Sequence, residues 1–197
     1  MTEVMLPLPE PIAAPRNARS TVLLSSVGAV TARGLEARYF AALAPQYHET
    51  MRGALAGVWL PFDVALAHYR ACDALGLTAE QQADMGRAVE QRIRGTLLGT
   101  AVRMAKGAGV TPWLVLPQLQ RFWERAFDGG GLTVIKSGPK DARIDVVRFP
   151  LNDIAYFRHS LRGVCCGIVD LFCTRAWMQE RPGIRPAGGA SFRIQWA

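Results

Sequence analysis

Three consecutive glycines, Gly129, Gly130 and Gly131, divide this chain between two hydrophobic rhythms. Before them, apolar residues recur at helical spacing. After them, Leu132 and Val134, then Ile144 and Val146, alternate around the turn Ser137, Gly138, Pro139, as in an antiparallel hairpin. A second alternation closes the chain: Phe192, Ile194 and Trp196 against Ser191, Arg193 and Gln195, after Gly188 and Gly189. Between the two lies a long helical stripe, Ile154, Phe157, Leu161, Val164, Ile168 and Phe172, predicting a helix over 153–178 with Asn152 as its cap. A lone hairpin is barely stable in water, so both hairpins must join one sheet with the long helix lying on it. The predicted class is α+β, with helices packed on an antiparallel sheet made of two β-hairpins separated by a long helix.

Upstream of the glycines, Leu35, Tyr39 and Leu43 predict a first helix over 35–51, interrupted at Pro45. Phe62, Leu66 and Tyr69 form the buried stripe of a second, which Gly76 ends. Thr78 with Gln81 reads as a capping box opening a third. In that third helix Met85, Val89, Ile93 and Leu97 recur every four residues toward Lys106, and Gly86, Gly95 and Gly99 allow another element to approach closely. A helix over 117–128 presents Leu119, Phe122, Trp123 and Ala126. Residues 21–25 read as an edge strand. Residues 1–20, punctuated by Pro7, Pro9, Pro11 and Pro15, read as a disordered arm ahead of a single α+β domain over 21–197.

Half of the residues are hydrophobic (50%), which argues for a folded globule and against a wholly disordered chain. The first fifteen residues have neither a basic start nor an apolar stretch, so no signal peptide is expected. The most apolar stretch, 164–173, contains Asp170 and falls well short of the ~20 residues a membrane span needs, so membrane insertion is not expected. Cys72, Cys165, Cys166 and Cys173 lack the spacing of a secreted disulfide framework, and the reading is reduced thiols in a cytoplasm.

The order of helices, hairpin, long helix and closing hairpin is accompanied by particular residues. They are the turn Trp59, Leu60, Pro61, then Pro112 in a loop, Phe122 and Trp123 before the three glycines, and the ending Phe192, Arg193, Ile194, Gln195, Trp196. Together, from about residue 27 to the end, they resemble a family of roughly 200-residue proteins of unknown function present in many copies in myxobacteria. That family in turn resembles the wider fold of vinyl-reductase-type small-molecule-binding domains, bacterial haem-nitric-oxide-binding domains and the TRAPP vesicle-tethering subunits. The resemblance implies an α+β domain with an apolar pocket, often dimeric. Vinyl-reductase-type domains tend to carry cysteines at the last hairpin, where this chain has Arg185, Pro186, Gly188 and Ser191, so no metal or thiol function is expected there.

Candidate sites follow from side-chain chemistry. Trp59, Phe62, Tyr69, Trp113 and Trp123 are the aromatics that would line a pocket between helices and sheet, or else pack the core. The fold's haem-binding branch makes His159 a possible haem ligand. His159, Cys166, Asp170, Cys173 and Trp177 share one helical face, but at 1.5 Å per residue His159 and Cys173 stand ~21 Å apart, too far for one metal ion. No metal site is predicted. The formal charge of +7 comes from 23 Lys+Arg against 16 Asp+Glu, and it raises nucleic acid as a partner. No nucleic-acid motif accompanies it, and that partner is not expected.

The expected function is a non-enzymatic small-molecule-binding or sensory domain, its ligand apolar or lipid-like and its cofactor open. The alternative is a protein-protein adaptor recruiting through the fold's outer surface and the proline arm, with a haem or gas sensor and a nucleic-acid-binding protein ranked below it. Homodimerisation is expected, with Gly95 and Gly99 offering a flat helical face.

Overall fold

The computed structural model describes residues 3–97, 111–184 and 189–197, and five of its strands form one antiparallel sheet. β1 (Glu3–Leu6) flanks β4 (Gly131–Gly138), which pairs with β5 (Asp141–Val147). β5 pairs with β7 (Ala190–Trp196), and β7 with β6 (Ala176–Glu180). Register explains the burial: Leu132 stands opposite Val146, Val134 opposite Ile144, and Ile144 opposite Phe192, so the alternating residues collect on one buried face. On the other face Asp145 is paired with Ser191, whose hydroxyl donates to its carboxylate at 2.6 Å. The two-hairpin sheet is thus as expected, with β1 added at its edge.

Seven helices stand among the described residues: α1 (Ser20–Thr31), α2 (Glu36–Ala42), α3 (His48–Gly53), α4 (Phe62–Asp73), α5 (Ala79–Leu97), α6 (Leu119–Ala126) and α7 (Ala155–Val169). A turn at Pro45–Tyr47 separates α2 from α3, the interruption expected of Pro45. The capping box forms: Thr78 N–H donates to Gln81 Oε1 at 2.9 Å, and Gln81 N–H to Thr78 Oγ1 at 3.3 Å. α5 and α7 then cross with almost no side chain between them. A Cβ on Gly86 would lie 1.8 Å from the Ser160 carbonyl oxygen, and one on Gly163 would lie 1.8 Å from that of Ala83. The surroundings of Gly95, and Gly99 itself, fall outside the described residues.

Four expectations are corrected. The arm over 1–20 is not disordered where it is described: β1 joins the sheet, and β2 (Asn17–Arg19) pairs with β3 (Trp59–Pro61). The cause lies in the same three glycines. Lacking Cβ atoms, they let the arm press on the chain: a Cβ at Gly129 would come within 2.6 Å of backbone at Ala14 and Pro15, and Gly130 N–H donates to the Ala13 carbonyl at 2.8 Å. Residues 21–25 belong to α1, whose buried Leu23, Ser26 and Val30 follow helical spacing. The long helix ends at Val169, because Asp170 accepts the Ala176 N–H at 2.6 Å across a turn and Trp177 and Met178 enter β6. Asn152 does not cap it. That side chain lies in the short turn Pro150–Asp153 and donates to the Val146 carbonyl at 3.3 Å.

Candidate ligand cavity

A cavity of about 380 Å³ lies among α1, α5, α6 and α7, with Leu132 of β4 contributing to its wall. Its surface is largely apolar. α1 supplies Val22, α5 supplies Val89, and α7 supplies Leu161, Val164 and Ile168. Leu119, Phe122, Trp123 and Ala126, the predicted face of α6, all line it. Helical spacing in three elements therefore turns one stripe each toward the same space. The lining residues Gly57 and Arg125 are exposed and Arg19 is half-buried, which marks that end as the mouth. Ser26, Glu90 and Ser160, all buried, supply polar groups inside.

The five predicted aromatics separate. Tyr69 and Trp123 line the cavity. Phe62 does not; it packs edge-on against Phe149, with ring centroids 5.4 Å apart, in a neighbouring aromatic cluster. Trp59 stands outside the wall, exposed, beneath the Arg19 guanidinium at 3.8 Å. Trp113 is remote, stacked edge-on at 4.9 Å on Trp196 and donating its indole N–H to the Pro139 carbonyl at 2.7 Å. The wall residues not singled out as a site are chiefly Val22, Val89, Leu161, Val164, Cys165 and Ile168, together with the cations Arg19 and Arg125. The signal that could have found some of them was the α6 face, four apolar positions of which Phe122 and Ala126 remain only half-buried.

None of the three histidines lines the cavity. His159 sits on α7 away from it, its Nδ1 3.1 Å from the Arg162 guanidinium, and burial together with Arg162 and Arg158 lowers its pKa. His68 is buried between Tyr39, whose hydroxyl lies 2.9 Å from Nδ1, and Cys72, whose sulfur lies 3.7 Å from Nε2. Desolvation pushes its pKa down to about 3, so it is neutral. His48 Nε2 is 2.8 Å from the Leu43 carbonyl.

The cavity's sulfur is that of Cys165 and its phenol that of Tyr69; burial pushes the Cys165 thiol up to about 12 and raises the Tyr69 phenol. With no histidine in its wall, this cavity offers a haem iron no imidazole, and His159, the expected haem ligand, stands outside it beside Arg162. Among the described residues no group of three or more His, Cys, Asp or Glu side chains could hold a metal ion. None of the described helices is long and apolar enough to cross a membrane.

No protein-family model matches the sequence, and no curated protein matches it either. Solved structures share its fold. The Fe(II) unliganded H-NOX protein from K. algicida aligns with a TM-score of 0.66 at 9% identity, covering 91% of this chain and 96% of that one. An H-NOX protein from S. oneidensis gives 0.61 at 8% identity, covering 91% and 96%. An oxygen-binding H-NOX domain related to soluble guanylate cyclases gives 0.58 at 10% identity, covering 90% and 94%. At these identities the likeness is one of fold. The haem-nitric-oxide-binding architecture expected of the chain is the one it has, while the resemblance to the myxobacterial family and to vinyl-reductase-type and TRAPP domains gains no support.

Proposed function

We propose that this chain is a non-enzymatic small-molecule-binding or sensory domain that holds an apolar or lipid-like ligand in the cavity among α1, α5, α6 and α7. The observation that carries the reading is the cavity itself, about 380 Å³ with a predominantly apolar wall, inside the ~300–1,000 Å³ range of small-molecule sites. The fold lends support, since one neighbour of like architecture is an oxygen-binding domain. Catalysis is not proposed: the cavity thiol is held protonated at about 12, and no histidine stands beside it as a base.

The adaptor alternative would require β1 to leave the sheet before the arm could serve as a free tether. Nucleic-acid binding is weakened because Arg87, Arg143, Arg158 and Arg193 are each committed to a carboxylate of this chain. The domain pairs as a homodimer in this proposal, and a light-scattering mass near 21.5 kDa would sink that part. Organic extraction of the purified protein followed by mass spectrometry tests the ligand. A stoichiometric apolar compound is expected, and its absence, together with no uptake of apolar probes, overturns the reading.

A further inference from the structure

We propose that the cavity takes an anionic amphiphile, a single-chain carboxylate whose tail follows the apolar wall while its head sits at the mouth between Arg19 and Arg125. This rests on the cavity being a binding site, and the test below separates the two claims.

Among the described residues neither Arg19 nor Arg125 forms an ion pair with a side chain. Arg19 is nonetheless held in place: its ring partner is Trp59 at 3.8 Å, its Nη1 donates to the Gly57 carbonyl at 2.9 Å, and its Nε donates to the Arg125 carbonyl at 3.4 Å. Two carbonyls engage two of the five guanidinium N–H donors, and the rest remain for a planar anion. Arg125 is exposed on the last turn of α6 and lines the same end of the cavity, with Arg19 bridging the backbone carbonyls of Arg125 and Gly57.

Two acids stand near this end in the sequence: Glu124 accepts from the Gln120 amide at 3.0 Å, and Asp128 is committed elsewhere. It accepts from the Arg16 and Asn17 N–H groups at 2.7 and 2.8 Å and from the Asn17 amide at 2.7 Å. Inside the cavity the charged lining residue is Glu90, buried against α7 at Gly167. A carboxylate head placed inside would meet that second carboxyl and lose its water, whereas at the mouth it meets two cations and keeps some hydration. The wall and the mouth thus orient one kind of molecule, tail in and negative head out. A neutral apolar ligand would leave both guanidiniums unused, and a cationic one would be repelled by them.

Calorimetry on the full chain with three ligands of one tail, dodecanoate, dodecanol and dodecyltrimethylammonium, decides the matter. Dodecanoate is expected to bind at least about fivefold more tightly than the alcohol, the ammonium compound least well, with the gap narrowing as salt screens the mouth. Arg125→Gln should shrink the gap, and Arg19→Gln combined with it should close the gap, while dodecanol affinity stays at the wild-type value and reports an intact cavity. Should the double variant fail to fold, Arg125→Gln alone decides. Equal binding of dodecanoate and dodecanol by the wild type, or a gap that survives Arg125→Gln undiminished, overturns the head-group assignment and leaves the cavity reading standing. If none of the three binds, the cavity reading itself falls.

Discussion

Trp123, Phe127 and Phe157 face two different neighbourhoods. On one side they meet Phe149, which itself packs on Phe62: its ring centroid lies 4.5 Å from Trp123, 4.7 Å from Phe127 and 5.3 Å from Phe157, in edge-on or tilted arrangements. On the other side the same three rings line the cavity. The difference lies in what the opposing elements offer. Toward the cluster the chain supplies more rings. Toward the cavity it supplies Val22 and Ser26 from α1, Gly86 and Val89 from α5, and Ser160 and Val164 from α7, side chains too short to reach across. Small residues on three helices leave the hollow open, and α5 and α7 already touch at their crossing so closely that neither can move toward the other to fill it.

Truncation on the filled side should have the largest effect. Phe149 is 1% exposed and touches four aromatic neighbours, so Phe149→Ala should cost about 3–5 kcal/mol in denaturant unfolding. A loss below about 1 kcal/mol would mean that the rings are loosely held and that the contrast with the cavity is false.

The crossing comes next. Gly163→Ala would place a methyl group 1.8 Å from the Ala83 carbonyl oxygen, and backbone cannot rotate away as a side chain can. Separating α5 from α7 should cost toward the upper end of the ~1–3 kcal/mol typical of overpacking. An unfolding midpoint equal to wild type would show that the helices slide freely, and the account of the hollow would fail with it.

Much of this was legible in the sequence, and what was not has identifiable causes. The two hairpins were readable because period-2 alternation has no helical counterpart, and the capping box because Thr78 and Gln81 satisfy each other's N–H groups locally. The end of α7 was not, since Phe172 continues the helical stripe and the turn is fixed by Asp170 reaching Ala176, a contact made only once β6 pairs with β7. The arm misled for a similar reason: its prolines argue against regular structure, but the surface that orders it is formed more than a hundred residues later, at Gly129 and Gly131. For the site, large aromatics were the natural candidates, yet a cavity is defined as much by where side chains stop short. Composition shows which rings exist and cannot show which of them lack a partner across a gap.

The filled side also makes a prediction about acid. His68 stacks edge-on with Tyr69, centroids 5.0 Å apart, and is fully buried, so desolvation lowers its pKa from 6.5 to about 3 on folding. Between those values the unfolded chain binds a proton that the folded chain does not, so stability falls as the pH drops below about 6.5 and continues to fall toward 3. Over the first pH unit and a half the loss should approach about 2 kcal/mol, measurable by urea unfolding. His68→Gln keeps a partner for the Tyr39 hydroxyl and should flatten that limb; an unchanged limb would assign the acid sensitivity to other groups.

The smallest effect on stability should come from the residue beside the most sensitive glycine. Val164 follows Gly163 on α7, but the helix turns it by about 100° away from α5 and into the cavity wall. A larger side chain there enters unfilled space, so Val164→Phe should change stability by less than about 1 kcal/mol, in contrast to the single methyl group added at Gly163. Binding should respond in the opposite order. The new ring takes volume from a cavity of about 380 Å³, and dodecanol affinity should drop at least tenfold, roughly 1.4 kcal/mol, in a protein that unfolds like wild type. If Val164→Phe destabilises as much as Gly163→Ala, the helices have no slack on either face and the hollow collapses in solution. If it leaves dodecanol binding intact, the ligand lies elsewhere.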